Sequence, residues 1–246
     1  EGGGSLEAAR GRLRASDQQP SIAATARVLD RLGISLITAQ EAGCCGALAH
    51  HLNDTEAGLA AARRNIDAWL PHLDAGAEAV VMTASGCGVR VKDYAWLLRL
   101  DPAYADKAAR ISAMTKDISE ILFAERDAIK ALTARPASKR IAYHPPCTLQ
   151  HGQKLSGGVE TLLADAGFDL TPVAESHLCC GSAGTYSILQ PAIAGALKTR
   201  KLGHLQSGTP AMIVTANIGC LTHLQSGTPI PVRHWVELLD ETLAAS

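Results

Sequence analysis

Short apolar runs alternate along the chain with longer stretches in which apolar residues return every three or four positions. The runs fall at Ile34–Thr38, Ala79–Thr83, Arg140–Tyr143 and Ala211–Thr215. Continuous runs this short suit strands covered on both faces, as in a parallel sheet. The periodic stretches predict helices over Glu56–Leu73, Arg90–Leu100, Asp117–Leu132, Ala192–Leu205 and His234–Ala244. Strands alternating with helices make this an α/β protein.

The pattern also repeats. ATARVLDRLGISLITAQEAG, Ala24 to Gly43, and VETLLADAGFDLTPVAESHL, Val159 to Leu178, each read as an amphipathic helix, a stop and a short extended run. Each leads into Cys-Cys-Gly, at Cys44–Gly46 and at Cys179–Gly181. A long helical stretch and an apolar strand then run into a lone cysteine, in AEAVVMTASGC (Ala77–Cys87) and AMIVTANIGC (Ala211–Cys220). The separations nearly agree, 42 residues from Cys45 to Cys87 and 40 from Cys180 to Cys220. Duplication is the simplest account. The expected architecture is two pseudo-twofold-related α/β repeats, each a small parallel sheet with flanking helices. The first occupies residues 1–132, with about 20 atypical residues at its start, and the second residues 140–246; TARPASK, Thr133–Lys139, links them. A smaller repeat, HLQSGTP at His204–Pro210 and His223–Pro229, reads as a helix end with Gly208 or Gly227 as cap and a Thr-Pro exit.

One element is not duplicated. Cys147, in IAYHPPC, stands 32 residues before Cys179, and the position 32 before Cys44 is Arg12. The first repeat therefore has an arginine where a cysteine is expected.

Composition narrows the chemistry. Of 246 residues, 47% are hydrophobic and 19% charged, so the chain folds and has ample core. A formal charge of −1 without basic runs, and 4% aromatics, point away from nucleic acid and anionic membrane surfaces. No apolar run approaches the roughly 18 residues of a membrane span, and no signal peptide is evident, so a reducing cytoplasmic setting is expected. The chain opens EGGGSLEAARGRL without methionine, as a fragment or processed product would. Its seven cysteines, an odd number, fit free thiols or metal ligands better than a disulfide framework.

A cysteine at the end of a parallel strand points into the crevice where α/β folds place ligands. Glycines beside the sulfurs (Gly46, Gly86, Gly181, Gly219) permit tight turns and leave room for a bulky inorganic core. Adjacent cysteines do not easily share one ion but can hold different irons of a cluster, which favours iron–sulfur over tetrahedral zinc. Zinc on Cys147, Cys179, Cys180 and Cys220 stays open as the alternative, as does a metal-free scaffold. No Cys-x-x-Cys redox pair, Ser-His-Asp site, phosphate loop or GxGxxG fingerprint is evident, and no catalytic residue is assigned. His223, three residues beyond Cys220, is a candidate additional ligand or hydrogen-bond donor. His144 precedes Cys147, and His50, His51 and His177 flank the pairs without an assigned role.

The cysteine pattern, with EAGCCGA, TASGCG, PCTLQHGQKL, SHLCCGSAGTY, VTANIGC and VRHWVELL, resembles the cysteine-rich (CCG) domain family. Within it, the likeness is to iron–sulfur subunits of glycolate oxidase (glycolate dehydrogenase), and it extends to the cysteine-rich subunit of heterodisulfide reductase. The resemblance implies an electron-transfer subunit serving glyoxylate metabolism, without flavin of its own. Its partners would be flavoprotein (FAD-binding) subunits, which would also carry any peripheral membrane association. It implies a 4Fe–4S type of cluster on Cys147, Cys179, Cys180 and Cys220, and in the first half on Cys44, Cys45 and Cys87. Three departures stand out. The ferredoxin-like cysteine runs of such subunits are absent from this sequence, Arg12 fills the first-half slot, and Arg90 and His223 replace the last cysteine of the heterodisulfide reductase motif.

Overall fold

The structure is a computed structural model describing residues 5–8, 20–133 and 138–244, with only the backbone considered at 5–8 and 244. The Arg12 slot lies outside the described residues. The chain divides into two compact units, Glu1–Ile118 and Ser119–Ser246, a boundary ahead of the 133–139 stretch.

The first unit runs β1 (Ser5–Ala8), α1 (Pro20–Arg31), β2 (Ser35–Thr38), α2 (Ala47–His51), α3 (Thr55–Asp74), β3 (Val80–Met82), α4 (Ser85–Lys92), α5 (Tyr94–Leu97), α6 (Ala105–Met114) and β4 (Thr115–Asp117). Its strands form one parallel sheet in the order β2-β1-β3-β4. After α7 (Ile118–Ala124) and α8 (Arg126–Leu132), the second unit runs β5 (Arg140–His144), a π-helical turn (Thr148–Gly152), α9 (Gly158–Asp165), β6 (Asp169–Leu170), α10 (Tyr186–Leu189), α11 (Pro191–Gln206), β7 (Met212–Thr215), α12 (Ile218–Gln225), β8 (Val232–His234) and α13 (Trp235–Ala244). This sheet is also parallel, ordered β6-β5-β7-β8. The two small parallel sheets with flanking helices are the architecture the repeat predicts.

The shared order fixes where a ligand fits. In each unit the chain leaves its first strand toward one side and returns to continue on the other. The connections after β1 and β3, or β5 and β7, therefore diverge. That divergence opens a crevice at the carboxyl ends of the strands.

Local chemistry sets the elements. The Asp54 carboxylate caps α3 by accepting the Ala57 N–H at 3.1 Å, and Pro191 begins α11, where a missing N–H costs nothing. Fully buried Ile66, Trp69, Val80, Tyr94 and Ile111 make the first core. In the second, Leu205, Ile213 and Leu224 pack with Cys180 and Cys220 themselves, so those sulfurs sit in a dry interior.

Three readings of the sequence need correction. The helix predicted from Arg90 begins at Ser85 and breaks at Asp93, because the small residues Ser85 and Gly86, between the predicted strand and helix, already form the first helical turn. The helix predicted from Asp117 starts only after β4, which together with β6 and β8 is too short, at two or three residues, to show alternation. Gly208 and Gly227 are not left-handed caps. Each HLQSGTP copy ends its helix with a serine hydroxyl donating to a histidine carbonyl, Ser207 to His204 at 2.8 Å and Ser226 to His223 at 2.7 Å. The glycines there answer to packing, since a Cβ on Gly208 would lie 2.5 Å from Thr171.

Candidate metal centre

The lone cysteines sit where each crevice opens. Cys87 and Cys220 are each the third residue of the helix that follows β3 or β7, within the first turn of α4 or α12. The sequence pattern places them at strand ends, and the small displacement has a consequence. At a helix N-terminus, free N–H groups and the macrodipole favour thiolate over thiol. Cys147 lies three residues past β5, at the head of the π-helical turn. The Cys-Cys pairs lie on the loops after β2 and β6.

In the second unit all four sulfurs come together within Ser119–Ser246. Cys147 is in thiol contact with Cys179, Cys179 with Cys180, and Cys180 with Cys220. Their ionisation alternates along this chain. Contact with Cys179 and then burial hold Cys147 in its protonated form. Contacts with Cys147 and Cys180 pull Cys179 down, aided by the Gly181 N–H, which reaches its sulfur at 3.3 Å. Contacts with Cys179 and Cys220 and burial push Cys180 up. Contact with Cys180 draws Cys220 down against its burial, with help from His144 and from the Asn217 amide at 3.6 Å. Four sulfurs packed this closely share protons because they cannot all ionise side by side. A cationic core binding them would displace those protons.

The first unit gathers three. Contact with Cys45 and then burial raise Cys44. Against the lowering effect of Cys44, contact with Cys87 and burial push Cys45 up to about 11. Contact with Cys45 lowers Cys87. Cys44 is exposed whereas Cys45 is buried.

Both Cys-Cys loops are held by the same device. Gly46 and Gly181 have φ of 79° and 92°, and a Cβ there would strike backbone oxygen, Gly58 O at 2.5 Å and Ala194 O at 2.4 Å. The glycine after each pair thus lets the loop press on the backbone of the next helix, α3 or α11. Six and seven residues beyond each contact stand Arg64 and Asn65 in one unit, Arg200 and Lys201 in the other. Buried Asn65 accepts the Gly43 N–H at 2.8 Å and donates to Cys44 O at 3.1 Å, while the Tyr94 hydroxyl donates to Cys45 O at 2.9 Å. Lys201, fully buried, donates to Glu175 O at 2.6 Å and Ser176 O at 3.3 Å. Glu175, at φ 49°, is clamped by Arg200 at 2.7 Å and by His204 at 2.6 Å. Gln150 ties Ser176 O at 3.2 Å to Pro145 O at 3.0 Å, so the turn bearing Cys147 is fastened to the Cys-Cys loop.

Each site also carries a buried cation. Burial weakens the protonation of Lys201, and Cys180 is first among the neighbours that restore it. Arg90, one turn past Cys87, is 7% exposed, and its Nε and one Nη find no hydrogen-bond partner. An unpaired guanidinium in a dry site costs several kcal/mol unless an anion offsets it.

This donor set suits a soft metal centre. Sulfur dominates, amide N–H groups face the sulfurs, and the cations complement a core whose thiolates leave it anionic. Oxygen-seeking ions would want carboxylates, and the one group of metal-ligand atoms mutually within 4.8 Å among the described residues is His144, Cys180 and Cys220. His144, without an assigned role in the sequence pattern, is thus the histidine placed among the sulfurs. His223 lies one turn past Cys220 with its Nε2 buried and unpartnered, outside that group. His51 and His177 are exposed. Asn65, Tyr94 and Lys201 were not apparent as site residues. Asn65 and Lys201 stand 19 and 20 residues after Gly46 and Gly181, but it is their burial, absent from the sequence pattern, that marks them.

Two parallel-sheet units, each converging cysteines from a Cys-Cys-Gly loop and a strand-to-helix turn on one crevice, define a duplicated cysteine-rich domain protein. The family model for the cysteine-rich (CCG) domain matches residues 11–92 and 141–225, and the chain belongs to that family. It is 55% identical over 221 residues to the glycolate oxidase iron-sulfur subunit of Escherichia coli (strain K12), covering 90% of this chain and 54% of that protein. It is 31% identical over 203 residues to the "Probable glycolate oxidase iron-sulfur subunit" of Bacillus subtilis (strain 168), 82% of this chain and 45% of the other. With lactate utilization protein A of Shouchella clausii (strain KSM-K16) it shares 26% over 202 residues, 80% of each. The chain spans about half the length of the two glycolate oxidase relatives.

Proposed function

We propose that this chain is the cysteine-rich part of an iron–sulfur electron-transfer subunit in a flavin-linked glycolate dehydrogenase. Electrons from the oxidation of glycolate to glyoxylate on a flavoprotein partner pass through it to an acceptor. The observation that carries this reading is the convergence of Cys147, Cys179, Cys180 and Cys220 on one crevice, with Cys180 and Cys220 on its dry side. The names and similarity of the relatives support the particular reaction.

Cys147, Cys179, Cys180 and Cys220 would hold the cluster, of 4Fe–4S type, and Cys44, Cys45 and Cys87 would hold a second, less complete site. The cluster, when bound, supplies one-electron redox chemistry. The protein's contribution is structural and electrostatic. Lys201 and the Gly181 and Asn217 N–H groups favour the anionic sulfurs, and the apolar core around Cys180 and Cys220 keeps water from them. No helix among the described residues is long and apolar enough to cross a membrane; the resemblance would place any peripheral membrane association on the partners.

The test is co-expression with the flavoprotein subunits under anaerobic conditions. The complex should purify together, and glycolate should bleach the visible absorbance contributed by this chain. A complex that oxidises glycolate while that absorbance stays unchanged would refute the relay.

A further inference from the structure

Four cysteines already supply the thiolates of a four-iron cluster, yet the second crevice contains one more donor. His144 is the last residue of β5 and pairs in register with Thr215 of β7. It is fully buried, neither ring nitrogen meets a well-aligned hydrogen-bond partner, and the side chain acts on the Cys220 thiol. A neutral imidazole carries one N–H, and leaving it unsatisfied in a dry interior is unfavourable. Its ligand nitrogen and the sulfurs of Cys180 and Cys220 all lie within 4.8 Å of one another. Sulfur is therefore the acceptor this N–H faces. Register neighbours project on the same face of a sheet. Ala142 and Ile213, two residues before His144 and Thr215, pack in the cluster that holds Cys180 and Cys220. The strand itself thus aims the imidazole at the sulfurs.

Ligation of iron is the competing role. A ligating imidazole almost always sends its other N–H to a carboxylate, a carbonyl or water. Among the described residues no carboxylate or carbonyl takes a ring N–H of His144.

We propose that His144 is a positioning residue that donates a ring N–H hydrogen bond to the Cys180–Cys220 side of the second-unit cluster and raises its reduction potential without binding iron. A donor to sulfur withdraws charge from the cluster and favours its reduced state, one of the levers by which proteins set such potentials. The inference rests on the iron–sulfur reading above.

The test uses the 246-residue chain, reconstituted anaerobically with ferrous iron and sulfide. Iron and sulfide per chain are measured for the unsubstituted protein, His144→Ala and His144→Gln. Midpoint potentials are read for the centre whose signal Cys180→Ser abolishes. His144→Ala should load iron fully and show a more negative potential, and His144→Gln, which keeps an N–H donor, should recover part of the shift. Pulsed EPR on the unsubstituted protein with ¹⁵N-histidine should show only the weak nitrogen coupling of a hydrogen bond; this arm decides if His144→Ala fails to fold. Full loading with an unmoved potential, iron loss as deep as in Cys180→Ser, or the strong coupling of a bound nitrogen would each overturn the inference alone. Uptake of zinc without iron and sulfide would overturn the proposed function along with it.

Discussion

The two units share a sheet order and a glycine-pressed Cys-Cys loop, and they differ in what completes the site. The second brings four sulfurs together and fastens its loop with a buried ammonium, Lys201, aided by Arg200 and His204. The first brings three described sulfurs together, fastens its loop with the neutral amide of Asn65, and buries a guanidinium, Arg90, with two of its nitrogens unpartnered. Duplication preserved the scaffold that positions sulfur while the charges around it drifted apart. Loop geometry and site electrostatics are thus separable here. The common part is backbone, and the divergent part is side chain.

The largest expected difference is in metal content. Cys179→Ser or Cys180→Ser should remove most of the iron from anaerobically reconstituted protein, and Cys44→Ser clearly less, by iron and sulfide assay. Equal losses from all three would erase the asymmetry. Stability should instead treat the units alike at their shared glycines. Gly46→Ala and Gly181→Ala each force a Cβ against a carbonyl at positive φ, and each should cost about 3 kcal/mol in denaturant unfolding. A substitution tolerated in one unit alone would show that the two loops are not built the same way.

Smaller effects probe the charges. Arg90→Met removes a buried cation that keeps two nitrogens unpartnered, so the metal-free chain should gain about 1 kcal/mol. A loss of that size would mean that the guanidinium is compensated. Acid should loosen the second loop first. Arg200, then His204, hold the Glu175 carboxyl below the usual range. The stability this adds is present above the ordinary glutamate range and is lost as pH falls through the lowered value. Hydrogen exchange of residues 174–178 should accelerate below about pH 4, and Glu175→Gln should remove that pH dependence. Unchanged exchange in the variant would place the acid-sensitive group elsewhere.

Much of this was legible in the chain because it rests on backbone periodicity. Apolar runs covered on both faces announce parallel strands, and the doubled Cys-Cys-Gly announces both crevices. The glycines at 46 and 181 were readable as close approaches, although their targets, the carbonyls of Gly58 and Ala194, belong to the fold. Other features were hidden for physical reasons. β4, β6 and β8 are too short to alternate. Ser85–Cys87 carries small residues that suit a strand end and a helix start equally. Lys201 looks like any helix-surface lysine until burial turns it inward. His144 differs from His223 only by standing on the strand whose register points it at sulfur.

The central claim, that converging thiolates in the second unit hold an iron–sulfur core, is tested most directly by counting metal and acid-labile sulfide on anaerobically prepared protein. Brown protein carrying iron and sulfide in near-equal amounts, both lost in Cys180→Ser, is the predicted result. Colourless protein whose four sulfurs hold zinc alone, or no metal, would contradict it.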